Sequence, residues 1–230
     1  MLQIKINCFY YQSGRAVFTI NKERFLMSNK KVYILLTDTG SIFAKTIKLY
    51  TSEPYNHASI SFDGNLTQLY SFGRKYPTNP FIGGFVKENI NEGLFLNATC
   101  AVYSLTIKKA DYYKMKQYID TIEAQKEHYQ YNLMGLFSIL FNKQLNRKNA
   151  FFCSEFVASV LKQGEGIEFN TPPSLVKPCD LYDAANFELV FQGRLRDYNK
   201  ETIHRPNLSK ICSPHTLVSA SWSETGAFHS

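Results

Sequence analysis

The sequence predicts an α+β fold, a mixed architecture built around one core. Several short runs of branched and aromatic residues have the composition of strands, and two of them flank a tight turn. Other stretches repeat apolar residues at the spacing of a helix. The chain of 230 residues is 44% hydrophobic and 20% charged, which is typical of a globular protein with one substantial core.

Five stretches are predicted to be strands. The first is an unbroken apolar run, as in a buried strand. The second and third form a hairpin around the turn residues Asp63, Gly64 and Asn65. The five strands cover residues 31–37, 57–62, 66–72, 100–107 and 187–195. The stretch 73–84 is rich in Pro, Gly and basic residues, and we expect a loop there.

Four stretches have helical spacing. They cover residues 42–50, 110–130, 133–141 and 154–161. Asp111 supports the start of the second helix, because the helix dipole favours a carboxylate near the N-terminus. The third helix is the most apolar stretch of the chain, but it is shorter than the ~20 residues that a bilayer requires.

One domain is expected at residues 29–202. Residues 1–28 are interpreted as an N-terminal extension, since Met27 resembles a natural start just before the first strong strand. Residues 203–230 are rich in serine and have no periodicity, so they are interpreted as a flexible tail.

The charge and the apolar runs limit the classes of partner. The net charge is +7, but lysine and arginine are scattered among acidic residues, which favours a solvated basic surface over a nucleic-acid site. A weak attraction to an anionic membrane or cell-wall polymer is compatible with this charge. Because no signal peptide or transmembrane run is recognised, we expect a soluble, cytoplasmic protein.

The five cysteines do not form a metal-binding or disulfide pattern. Their number is odd, their spacings are wide, and no Cys-x-x-Cys pair occurs. Free thiols fit a reducing compartment. The sequence also has no HExxH motif and no glycine-rich phosphate loop, so no metal or cofactor is expected.

Cys153 has the surroundings of a nucleophile. Aromatic residues precede it, and Ser154, Glu155 and a helical apolar pattern follow it. The thiol should therefore lie at a helix N-terminus, where the helix dipole favours the reactive thiolate. His57 lies upstream at the start of an alternating strand, and an imidazole facing a thiol is the arrangement that cysteine hydrolases require.

The order of these motifs resembles the circularly permuted papain-like amidases, the YiiX/YaeF-like branch of the NlpC superfamily. There too the histidine strand precedes the cysteine helix. The resemblance covers about residues 31–198. It implies an antiparallel sheet packed against helices including the cysteine helix, with Cys153 as the nucleophile and His57 as the general base.

The resemblance also implies a third group that orients the histidine. Relatives carry it on the strand that follows the histidine strand, where this chain offers Ser71, with Gln68 as the alternative. Three further residues are weaker candidates for substrate contacts. Tyr55 could line the cleft, Arg74 could hold an anionic group, and Glu155 either contacts substrate or pairs with an amide of the first helical turn.

These observations predict a cysteine-dependent hydrolase that cleaves an amide or ester through an acyl-enzyme. The expected substrate is a small peptide-like, cell-wall-like or lipid acyl compound. Two alternatives stay open. One is a lipid-directed acyltransferase or thioesterase similar to lecithin retinol acyltransferase, and the other is a binding module that has lost turnover.

Overall fold

A computed structural model describes residues 29–40, 54–76, 79–132 and 149–198. The predictions for residues 1–28, 42–50, 133–141 and 203–230 lie outside these ranges. The described chain has a mixed α+β architecture with an antiparallel sheet, as the sequence predicts.

Within the described residues, six strands form the main sheet, in the order β4-β3-β2-β1-β5-β8, and each neighbouring pair is antiparallel. A parallel pair, β6 and β7, forms a second small sheet. The strands are β1 Asn29–Asp38, β2 His57–Ser61, β3 Leu69–Tyr76, β4 Asn79–Glu88, β5 Thr99–Lys108, β6 Gln130–Tyr131, β7 Ala150–Phe151 and β8 Glu188–Arg194.

Two α-helices lie within the described residues. They are α1 Lys109–Ala124 and α2 Cys153–Leu161. Short 3-10 helices occupy Gly93–Asn97, Lys126–His128, Pro173–Leu175, Pro178–Ala184 and Leu195–Asp197. Within the described residues, no helix combines the length and the apolar character needed to cross a membrane.

The sheet carries a core on each face because its strands alternate side chains. The core on one face, which we name the first core, contains Ala58 and Ile60 of β2 together with residues of both helices. Ser59 pairs with Leu35, which belongs to the second core on the opposite face. By the same alternation, His57 lies on the second face, at the end of its strand.

The predicted loop at 73–84 is wrong, because residues 73–76 and 79–84 lie in β3 and β4, which pair with each other. Pro80 is tolerated there because β4 is the edge strand of the sheet in the described part of the chain, where a residue without a backbone N–H is accommodated. Gly83 is required by close approach, since a Cβ there would lie 2.4 Å from the Gly73 carbonyl oxygen. The residues that suggested a loop therefore build the edge of the sheet.

Candidate active site

Cys153 is the first residue of α2, and it is only 3% exposed. Phe156 N–H donates to the Phe152 carbonyl at 3.0 Å, which closes the first helical turn. Glu155 Oε2 accepts the Phe152 N–H at 3.4 Å, so its carboxyl stabilises the helix start. The backbone N–H groups of the first turn have no intrahelical acceptor, and they are the natural donors for a developing oxyanion.

Packing on both sides holds this helix start against the sheet. The Phe72 ring of β3 lies 5.0 Å from the Phe156 ring and 5.1 Å from the Phe151 ring, measured between centroids. On the other side, Ser154 Oγ donates to the Val176 carbonyl at 2.7 Å. The position of the thiol is therefore fixed by aromatic packing and by one buried hydrogen bond.

His57 is the first residue of β2, and its ring meets the thiol at the end of the strand. The Cys153 side chain forms a hydrogen bond with the ring. His57 Nε2 lies 2.7 Å from Glu88 Oε1, with the two side chains 17% and 8% exposed. Because Nε2 faces the carboxylate, Nδ1 is the nitrogen left for the thiol. The ring thus links a sulfur to a buried carboxylate.

Glu88 is the last residue of β4, and two serine hydroxyls fix its carboxylate. Ser71 Oγ donates to Oε1 at 2.6 Å, and Ser59 Oγ donates to Oε2. Together with His57, these donors reach both carboxylate oxygens. A carboxylate held in this way has little freedom to turn away from the ring.

His57 and Glu88 each stabilise the charged form of the other. Burial alone would lower the pKa of His57, but the Glu88 charge and the hydrogen bonds with Cys153 and Glu88 raise it from 6.5 to about 10. Burial would raise the pKa of Glu88, but the His57 charge and the hydrogen bonds from His57, Ser59 and Ser71 hold it below its ordinary value. The pair is therefore an imidazolium and a carboxylate at neutral pH.

A second polar contact ties the end of β1 to the residue before His57. Asn56 Nδ2 donates to Asp38 Oδ1 at 2.7 Å, and the Gly40 N–H donates to the same oxygen at 3.1 Å. The Asn56 N–H also donates to the Thr37 carbonyl at 3.0 Å. These contacts anchor the backbone that carries the ring.

The carboxylate that contacts the ring is that of Glu88, which is not among the two sequence candidates for the third group. Ser71 contacts Glu88 rather than acting directly as the predicted orienting group. Gln68 is engaged elsewhere: its N–H donates to Asp63 Oδ2 at 2.7 Å, and its Oε1 accepts from Lys116 Nζ at 2.8 Å. The sequence does not indicate Glu88, because the stretch before it has the composition of a loop.

The weaker candidates are placed as follows. Tyr55 is 9% exposed and belongs to the first core, and its hydroxyl accepts from Gln192 Nε2 at 3.0 Å. Arg74 lies in β3 opposite Gly83, but its side chain is outside the described part of the structure. Glu155 contacts the Phe152 amide, which is the structural role that the sequence allowed.

The remaining described cysteines are Cys100 and Cys179, which are both buried and are not in disulfides. Burial raises the pKa of Cys100 to about 12, against a smaller opposing effect of the Gly193 N–H. Such a thiol is unreactive at neutral pH. The described residues contain no group of three or more His, Cys, Asp or Glu side chains placed to hold a metal ion.

Comparisons of the chain with family models, with curated proteins and with solved structures give no match.

Proposed function

We propose that this protein is a cysteine-dependent hydrolase that cleaves an amide or ester bond through a Cys153 acyl-enzyme. The observation that carries the proposal is that the His57 ring contacts both Cys153 and Glu88. It forms a hydrogen bond with the Cys153 side chain, and its Nε2 lies 2.7 Å from Glu88 Oε1. A nucleophile, a base and an orienting carboxylate in contact form the unit that covalent catalysis requires.

The reaction follows from the charges of these groups. The nucleophilic form of a cysteine is the thiolate, and in this form the Cys153 sulfur attacks the substrate carbonyl carbon to form a C–S bond. The tetrahedral oxygen accepts hydrogen bonds from the first-turn N–H groups of α2. The C–N or C–O bond then breaks, and the leaving group takes the proton from His57.

The second half of the reaction regenerates the thiolate. Neutral His57 takes a proton from water, and the resulting hydroxide oxygen attacks the thioester carbonyl. The C–S bond breaks, the acid leaves, and the sulfur departs as thiolate beside the imidazolium. Glu88 stays ionised throughout and holds the ring in position.

The finer fold assignment is part of the same proposal. A histidine strand that precedes a cysteine helix, together with an antiparallel sheet against that helix, supports a circularly permuted papain-like fold of the NlpC type. The thiol chemistry needs a reduced cysteine, and Cys153 is free. A reducing compartment such as the cytoplasm is therefore the proposed location.

Glu88 weighs against the binding-module alternative. That alternative was motivated by a doubtful third residue, and a buried carboxylate with three partners now occupies this position. Transfer of the acyl group to an acceptor other than water needs the same Cys153, His57 and Glu88. The acyltransferase hypothesis therefore differs from the hydrolase hypothesis only in the second half-reaction.

A small alkylating reagent tests the proposal at neutral pH. Cys153 should be labelled much faster than Cys100, which serves as the internal control because burial raises the pKa of its thiol to about 12. His57→Ala should slow the labelling of Cys153 alone. Equal labelling of Cys153 in both proteins would instead support a binding module.

Mass spectrometry with an activated ester supplies the second readout. The unmodified protein should accumulate a covalent adduct on Cys153 that disappears with time as water hydrolyses it. Cys153→Ser should form no such thioester. Lack of any adduct in the unmodified protein, across both ester and amide substrates, would contradict the proposal.

A further inference from the structure

The 3-10 helix Gly93–Asn97 carries three large apolar side chains in succession, and none of its residues is buried. Leu96 is 51% exposed, and Leu94 and Phe95 are half-buried. Burying an apolar side chain is favourable, so three adjacent ones left at the surface need an explanation. We name these three residues, Leu94 to Leu96, the apolar lip.

The apolar lip lies beside the candidate catalytic ring. The Phe95 ring centroid is 6.3 Å from that of His57, with the ring planes inclined at 46°. His57 contacts the Cys153 side chain. If a substrate carbonyl lay at the sulfur, the groups attached to that carbonyl could therefore reach the apolar lip. The lip therefore lies beside one member of the candidate catalytic unit, on the side of the ring that Phe95 contacts.

Backbone hydrogen bonds hold the lip in place. The Phe95 N–H donates to the Glu92 carbonyl at 3.2 Å, and the Ala98 N–H donates to the Phe95 carbonyl at 3.1 Å. The Leu195 N–H then donates to the Ala98 carbonyl at 3.0 Å, which connects the segment to the second core. A surface fixed before binding loses little entropy when a ligand contacts it.

We propose that the apolar lip is a subsite for the unbranched acyl chain of the substrate, and this inference rests on the proposed hydrolase function. Phe95 covers the chain next to the carbonyl, and Leu96 extends the apolar contact outward. Part of Phe95 also packs against the second core, but that packing does not account for the exposure of Leu96.

A chain-length series of 4-nitrophenyl esters, from acetate to octanoate, tests the subsite. For the unmodified protein, kcat/KM should rise with chain length, at most about fourfold for each methylene that becomes buried. Leu96→Asp and Phe95→Ala should lower the octanoate-to-acetate ratio of kcat/KM by at least tenfold. The ratio cancels any general loss of active protein.

Leu189→Asp is the matched control. Leu189 is 52% exposed and pairs with Tyr103, whereas the lip is connected to the other end of β8, where Arg194 pairs with Thr99. This variant should keep the chain-length profile of the unmodified protein. A profile that is flat in the unmodified protein, or identical in Leu96→Asp, would overturn the subsite. Faster turnover of an N-acetylleucine ester than of hexanoate would also overturn it, because it would assign the lip to an amino-acid side chain.

A binding measurement separates this inference from the hydrolase proposal. Octanoate added to the Cys153→Ala protein should shift the His57 ring resonances, and Leu96→Asp in that background should weaken the binding at least tenfold. Loss of turnover with retained octanoate binding would contradict only the hydrolase function. Turnover of acetate without octanoate binding would contradict only the subsite.

Discussion

Glu88 Oε1 lies 2.7 Å from His57 Nε2, although the two residues are not partners in the strand register. Glu88 pairs with Leu69, and Leu69 pairs with Ser61, which is four residues along β2 from His57. The carboxylate therefore reaches the ring diagonally across β3. Its length and the two serine donors make this contact possible.

Glu88→Gln should remove most of the activity. Glutamine keeps the size of the side chain but loses the charge that raises the pKa of His57, so this pKa should fall from about 10 toward 6.5. We expect kcat/KM for an ester substrate to fall by about 10²-fold or more. The checks are ester kinetics and an NMR titration of the His57 ring.

Glu127→Gln is the control for this change, since Glu127 is an exposed carboxylate on a 3-10 helix. It should leave both the kinetics and the titration unchanged. If Glu88→Gln retained the pKa of His57 and the full rate, the assignment of Glu88 as the orienting group would be wrong.

The sequence sufficed to locate Cys153 and His57 because both lie at the starts of regular elements. Helical spacing after Cys153 and alternation after His57 are local patterns, and the structure brings the two side chains together. Glu88 gives no such local signal. Its contact crosses β3 diagonally and depends on the pairing of β3 with β4, a strand whose Pro80 and Gly83 predict a loop.

Ser71→Ala tests whether this serine acts through Glu88. Loss of one hydrogen bond to the charged carboxylate should lower the free energy of unfolding by about 1.5–3 kcal/mol and reduce kcat/KM by about tenfold. In the Glu88→Gln background, the same change should have much less effect, because the charged acceptor is gone. A double-mutant cycle with both readouts measures the difference.

Ser59→Ala provides a parallel test, since Ser59 donates to the other oxygen of the same carboxylate. Its effects should also depend on Glu88. If Ser71→Ala were equally harmful with and without the Glu88 charge, Ser71 would act directly on the ring or the substrate.

The His57–Glu88 ion pair predicts a particular dependence of stability on pH. The pKa of His57 is raised to about 10, so its stabilisation is complete below 6.5 and is lost as the pH rises toward 10. The pKa of Glu88 is lowered, so its stabilisation is complete above 4.5 and is lost as the pH falls through its folded value. The pair therefore stabilises the fold most between about pH 4.5 and 6.5.

The double variant His57→Gln/Glu88→Gln isolates this contribution. The comparison is made in the Cys153→Ala background, which removes the thiol that contacts the ring. The remaining titrating groups then cancel in the difference between the two free energies of unfolding. Denaturant unfolding at several pH values should give a difference, relative to the single Cys153→Ala variant, that changes steadily from pH 6.5 to 10. A constant difference over this range would show that the pair is not an ion pair in the folded state.

Glu155→Gln should stabilise the protein at neutral and alkaline pH. Burial raises the pKa of Glu155 from 4.5 to about 7, against smaller opposing effects of the Phe152 N–H and Asn132. The folded state therefore holds a proton that the unfolded state releases, and stability is lost as the pH rises from 4.5 through 7. This difference in pKa corresponds to about 3 kcal/mol. Glutamine is neutral throughout and can still accept the Phe152 N–H.

Denaturant unfolding of Glu155→Gln at pH 4.5, 6, 7 and 8 measures this effect, with Glu127→Gln as the exposed control. The variant should match the unmodified protein near pH 4.5 and exceed it progressively up to about pH 7, with a constant advantage above. If Glu155→Gln lowered stability equally at every pH, its carboxyl group would stabilise the start of α2 as a charged acceptor. The helix that carries Cys153 would then depend on a negative charge at Glu155, beside the amides proposed to bind the oxyanion.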